Sequence, residues 1–95
     1  MIYIYAKRDR LTGSWSIPAF VKDDKEETIK AHVRFCTVNP AEATKQRLQD
    51  MEVYFLGTYD DREAQFVLLP NPEMLIDCGP IVEQNIKRLE VAKNA

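Results

Sequence analysis

The residues of this 95-residue chain whose types can do chemistry are one histidine, two cysteines and three adjacent acidic pairs. His32 and Cys36 stand four apart, one above the other on a helix face, and so can share a metal ion. A structural zinc site needs four ligands, and Cys78 supplies at most a third. The expectation is therefore no metal, with a half-buried His32 and two buried cysteines. Asp23-Asp24 and Glu26-Glu27 suit the start of a helix, where carboxylates accept from free backbone N–H groups and meet the positive end of the dipole. Asp60-Asp61 suits a hairpin tip, because aspartate bonds its own backbone in turns; two carboxylates from one tip are too few to hold a divalent ion. No serine sits in a nucleophile elbow, and no Cys-His nucleophile signature is present. Gly13, Gly57 and Gly79 are isolated, so there is no phosphate-cradling loop. No catalytic residue, no cofactor and no small-molecule substrate is expected, and the chain is read as a binding protein rather than an enzyme.

The aromatic and basic residues near the N-terminus are the more informative group. Tyr3, Tyr5 and Lys7 share one face of a first strand, Trp15 lies on its partner strand, and Arg8 and Arg10 sit near the turn. Aromatic rings on an open sheet face with cations beside them can stack the bases of single-stranded DNA, each at about 1–3 kcal/mol. The same aromatics can instead pack under the last helix or in a homodimer interface. Net charge is −2, which argues against a general nucleic-acid coat. It is unevenly spread: residues 1–20 carry a net +2, residues 21–63 a net −3 and residues 64–95 a net −1. An anionic partner would prefer the first hairpin.

The elements that must position these residues follow from periodicity. Residues 2–7 alternate apolar and polar as a strand. Arg10 to Ser14 form a tight turn with Gly13 at its special dihedral. Trp15 to Val21 make a second strand, an edge or a bulged one because Pro18 cannot donate to a ladder. Asp24 caps a helix with Glu27 as its return partner, and the helix runs to about Val38, where Asn39-Pro40 stops it. Ile29, His32, Val33 and Cys36 are its predicted core face. Residues 40–50 are a short helix or a structured loop. Met51 to Thr58 and Ala64 to Leu69 form a second hairpin, with Val53, Phe55 and Gly57 alternating against Tyr54, Leu56 and Thr58. Pro70-Asn71-Pro72 ends the sheet, Met74 to Cys78 adds an extended piece, and Pro80 opens a last helix with the stripe Val82, Ile86 and Leu89. The expected fold is α+β: a four-stranded antiparallel sheet from two hairpins, a covering helix between them and a C-terminal helix, in the order ββαββα. It is one domain over residues 1–95, with a sheet-and-helix core in 1–70 and a C-terminal extension in 71–95.

Bulk properties agree with a small globular domain. The chain is 45% hydrophobic and 29% charged. No apolar run approaches the roughly 20 residues that span a bilayer, so no membrane association is expected. The apolar start breaks at once into Lys7-Arg8-Asp9-Arg10, whereas a secretory signal carries its basic residues before the apolar stretch. Two cysteines are too few for a disulfide framework and fit a reducing cytoplasm.

Several of these segments resemble a known family. Trp15-Ser16-Ile17-Pro18-Ala19-Phe20 is similar to a proline-and-phenylalanine strand of the small nonstructural protein of gokushoviruses and related microviruses, tail-less phages with circular single-stranded DNA. The helix Thr28-Ile29-Lys30-Ala31-His32-Val33-Arg34-Phe35 and the following Val38-Asn39-Pro40 resemble its helix and "V-N" end. Tyr54-Phe55-Leu56-Gly57-Thr58-Tyr59-Asp60-Asp61 is similar to its "L-G-x-F/Y-D-D" strand and turn. The chain departs at His32, where that family carries phenylalanine, and at Leu48-Gln49-Asp50-Met51-Glu52, which keeps only the acid of an "H-P-x-D-Y" motif. The resemblance runs from about Ile2 to Leu69. It implies a phage nonstructural protein, acting in the host cytoplasm, with a part in replicating or packaging single-stranded DNA. Tyr3, Tyr5, Lys7, Arg8, Arg10 and Trp15 are then the candidate nucleic-acid contacts. The alternative is a homodimeric interaction module that regulates a phage or host protein without touching DNA, docking through the Val82-Ile86-Leu89 stripe.

Overall fold

The computed structural model describes residues 1–94. Four antiparallel strands, β1 (Ile2–Asp9), β2 (Ala19–Val21), β3 (Met51–Asp60) and β4 (Gln65–Asp77), form one sheet in the order β2-β1-β3-β4. Helix α1 (Lys25–Cys36), a short helix α2 (Pro40–Lys45) and a 3-10 turn (Leu48–Asp50) separate the two hairpins, and α3 (Cys78–Asn94) follows β4 directly. The α+β class and the four-stranded antiparallel sheet are as expected. The element order is not: α2 stands between α1 and β3, so the order is ββααββα. Asn39 explains the extra helix. Its side chain accepts from the Glu42 N–H at 2.9 Å, and Pro40 occupies the first turn. α1 itself ends at Cys36, capped by Thr37, two residues short of the expected Val38, so Asn39-Pro40 starts α2 rather than stopping α1.

Local chemistry sets most boundaries. Asp24 caps α1 by accepting from the Glu27 N–H at 2.9 Å. In the first turn, Asp9 accepts from the N–H groups of Leu11 and Thr12, and Gly13 adopts φ +75°. The second strand is shorter than expected. Only Ala19–Val21 pair with β1, and Trp15 makes a single bridge to Arg8, because Pro18 interrupts the ladder between them. Pro70-Asn71-Pro72 does not end the sheet. Phe55 pairs with Glu73 and Gly57 with Leu68, so the proline segment is looped out as a bulge and β4 resumes beyond it. β4 is an edge strand, where a missing donor costs no inner ladder bond.

The helices lie on one side of the sheet. The core joins Cys36 of α1, Ala43 of α2, Leu48, and Cys78 and Val82 of α3, with Phe35, Val38, Met51, Ile81 and Ile86 around them. The α1 face is rotated from its predicted position. Thr28 and Cys36 are buried and Phe35 is half-buried, whereas Val33 is 37% exposed. The large Phe35 ring turns the helix toward the core and leaves Val33 at the margin. Asn85 of α3 is buried and donates to the Val38 carbonyl at 2.9 Å, tying α3 to the end of α1.

Candidate nucleic-acid interface

The register divides the aromatic residues between two faces, since directly paired residues of an antiparallel sheet point the same way. On the helix side, Tyr3 and Tyr5 pack with Phe55, at ring distances of 6.3 and 5.7 Å. Tyr5 is only 4% exposed and its hydroxyl donates to the Asp23 carbonyl at 2.8 Å. Burial pushes the Tyr5 phenol above its usual value. Lys25 at the start of α1 lies 5.2 Å from the Phe55 ring and pairs with Glu73. Lys7, on the same side, is exposed with its ammonium 5.8 Å from the Phe35 ring.

Among the described residues, the opposite face carries no helix. Ile2, Ile4, Ala6 and Arg8 of β1 point there, and their partners on β3 and β2 include Tyr59, Gly57, Tyr54, Glu52 and Phe20. Trp15 is 46% exposed and lies 4.8 Å from the Tyr54 ring. Farther along, Phe66 of β4 lies 4.7 Å from Tyr59 and 6.3 Å from Phe20 of β2. In a flat sheet β2 and β4 would be three strand spacings apart, roughly 14 Å. The Phe20–Phe66 contact therefore means that this face is strongly curled. It forms an aromatic trough with the buried Ile4 on its floor.

One polar network marks the Trp15 end of the trough. Glu52 is buried, and its Oε1 accepts from Arg8 at 3.2 Å and from the Tyr54 hydroxyl at 3.2 Å. Burial, followed by the Glu52 carboxylate, raises the Tyr54 phenol above its usual value. Tyr54 is thus held as a neutral ring against Trp15, with the Arg8 guanidinium beside it. Arg10 is elsewhere: it pairs with Asp77 at 3.2 Å and donates to the Gln49 carbonyl at 2.7 Å.

Of the six candidate contacts, only Arg8 and Trp15 share the open face. Tyr3, Tyr5 and Lys7 lie on the helix side and Arg10 beyond the sheet end. The open face adds Tyr54, Tyr59, Phe20 and Phe66, which periodicity did not single out. Tyr54 and Tyr59 are five residues apart and would point to opposite faces of an unbroken strand. A bulge puts them together: Ile4 pairs with Gly57 and Tyr5 with Phe55, leaving Leu56 as the extra residue. The mid-strand Gly57 was the available signal. Its φ is +152°, and a Cβ there would lie 2.2 Å from the Val67 carbonyl oxygen.

Outside this face, His32 and the two cysteines have structural places. His32 places Nδ1 2.8 Å from the Thr28 carbonyl; since a carbonyl only accepts, Nδ1 carries the proton. Cys36 and Cys78 are buried free thiols, and burial pushes both up, away from the reactive thiolate. Among the described residues, no group of three or more His, Cys, Asp or Glu side chains is placed to hold a metal ion. Among the same residues, no helix is long and apolar enough to cross a membrane.

No curated protein and no solved structure matches the chain. The family model described as Phage ORF5 protein matches residues 2–81, from the first residue of β1 into the first turn of α3. That match takes in all four strands and every aromatic of the open face, and on it the chain belongs to the phage ORF5 protein family.

Proposed function

We propose that this chain is a non-enzymatic nonstructural protein of a microvirus-type phage that binds single-stranded DNA during genome replication or packaging. The observation that carries the reading is the helix-free trough, with Trp15 against Tyr54 and Arg8 beside them, continuing to Tyr59, Phe20 and Phe66. Every base has a π-face, so stacking on such rings is sequence-tolerant and needs few phosphate contacts. That suits a chain of net charge −2. Arg8 sits at the stacking pair, while Lys7 and Arg10 approach only from neighbouring surfaces. Of the cations near Trp15, Arg8 and Arg47 are already paired to carboxylates, so the plot of log affinity against log salt should have a shallow slope of about −2 or less in magnitude.

The test is a titration of the full chain with a single-stranded oligonucleotide at two salt concentrations, read by Trp15 fluorescence, the single tryptophan of the chain. Quenching at low salt with a shallow salt dependence is expected. Trp15→Leu, read by mobility shift, and Tyr54→Leu should each weaken binding by about 1–3 kcal/mol. Unchanged fluorescence together with no mobility shift at low salt would remove the proposal.

A further inference from the structure

β4 is an edge strand of the sheet, so about half of its N–H and C=O groups between Gln65 and Leu69 point away from β3. A bare edge is a template for another strand, and proteins blunt such edges with proline, charge or a bulge. β4 has all three, but only in its second half, at Pro70, Pro72 and Glu73. The first half has none. From Ala64 to Pro72 there is no charged residue, and Phe66, Val67, Leu68 and Leu69 form a run of apolar residues. The run is exposed on both faces: Val67 is 65% and Leu68 61% accessible.

We propose that Gln65–Leu69 is the pairing edge of a homodimer, in which β4 of one chain adds antiparallel to β4 of a second copy about a two-fold axis and joins two four-stranded sheets into one. Three features select a second copy over other occupants. An uncharged strand placed antiparallel on itself brings no like charges opposite each other, and the two-fold makes one patch serve both sides. A nucleic acid would find no cation for its phosphates between Ala64 and Pro72. The area is also of the right order. The five β4 side chains Phe66, Val67, Leu68, Leu69 and Met74 are each exposed by a third or more and together leave roughly 450 Å² in solvent. The paired main chain adds to that, and a specific interface buries about 800 Å² per partner. This surface is separate from the Trp15 end of the trough and shares Phe66 with its far end, so a dimer leaves Trp15 and Tyr54 as the stacking pair; the inference does not depend on DNA binding.

The experiment is sedimentation equilibrium of the full chain over a wide concentration range, for the wild type, Val67→Lys and Val91→Lys. The last is a control on the exposed side of α3. Both substituted side chains are exposed, so native far-UV dichroism is expected throughout. A dimerising wild type, a Val67→Lys variant weakened about tenfold or more and an unaffected Val91→Lys variant are expected. Amides of residues 65–69 should gain hydrogen-exchange protection as concentration rises. A monomeric wild type, or a dimer that Val67→Lys leaves intact, would overturn the proposal. So would protection of residues 65–69 that appears only on adding single-stranded DNA.

Discussion

Cys36 and Cys78 occupy the centre of the helix-side core, and both are fully buried. Burial is the first cause that raises each thiol above its ordinary value of 9.0, and each lowers or raises the other through a mutual sulfur contact. A raised folded-state value means that the unfolded chain releases its protons first as pH climbs. The resulting stability is complete below about pH 9 and is lost as pH rises toward the folded-state values. The buried Tyr5 acts in the same sense from its ordinary value of 10.0 upward. Urea midpoints should therefore be level to about pH 8.5 and fall steadily above pH 9. In Cys78→Ser, which removes one titrating thiol, the alkaline fall should be shallower, even though burying a hydroxyl lowers the starting stability. A midpoint independent of pH up to 10.5 would contradict the buried-thiol assignment.

Strand β3 shows how one element can be read correctly in kind and wrongly in detail. The alternation of Met51 to Thr58 identifies a strand, and Asp60 closes the hairpin by accepting from the N–H groups of Arg62 and Glu63. What alternation cannot carry is a bulge, because a single extra residue exchanges the two faces for everything beyond it. At Gly57 the β3 backbone meets β4 so closely that Gly57→Ala would drive its methyl group into the Val67 carbonyl. Relief requires moving a strand, so Gly57→Ala is expected to cost about 3 kcal/mol or more in chemical denaturation. A cost below about 1 kcal/mol would mean that the bulge is not formed. The same kind of limit explains the other departures. Caps and turns were legible, as Asp24, Gly13 and Asn39 show, because their partners lie within a few residues. The aromatic site was half legible. Trp15 and Arg8 were visible as residue types, but their neighbours Tyr54, Tyr59 and Phe66 come from a distant hairpin brought alongside by register. Tyr3 and Tyr5 fitted either an open face or a packed one, because nothing local says which side of β1 the helices will cover. The second half of β4 was legible as an extended piece from Met74 on, but not as part of the sheet, because the local break signal of Pro70 and Pro72 is overridden at an edge strand by continued pairing with β3.

The molecule is elongated, with extents of 57 × 26 × 19 Å, and its stabilising contacts are unevenly distributed along that length. The cluster of Cys36, Ala43, Leu48, Cys78 and Val82 joins every helix at one end, next to the start of β3 and the end of β4. Every residue from 61 to 74 is exposed. The β3–β4 hairpin therefore projects beyond the helical layer, held by strand pairing and by the Tyr59–Phe66–Phe20 rings. Thr58 and Tyr59 also pair with Tyr3 and Ile2 of β1, so only the tip from Asp60 to Gln65 is two-stranded; with no helix over it among the described residues, this end of the sheet should open without unfolding the rest. Native-state hydrogen exchange on the dilute, monomeric chain should resolve two tiers. Amides of Val53 and Phe55, beneath the helices, should exchange only on global unfolding and show the full urea dependence. Those of Thr58–Asp60 and Gln65–Val67 should exchange through smaller openings with little urea dependence. If both sets converge on one free energy and one urea slope, the arm is part of a single cooperative unit. The trough would then be a rigid platform. If the arm opens separately, Phe66 and Tyr59 can part from Phe20 while Trp15 and Tyr54 stay on the stable half, which under the proposed function would make room for a strand of bases.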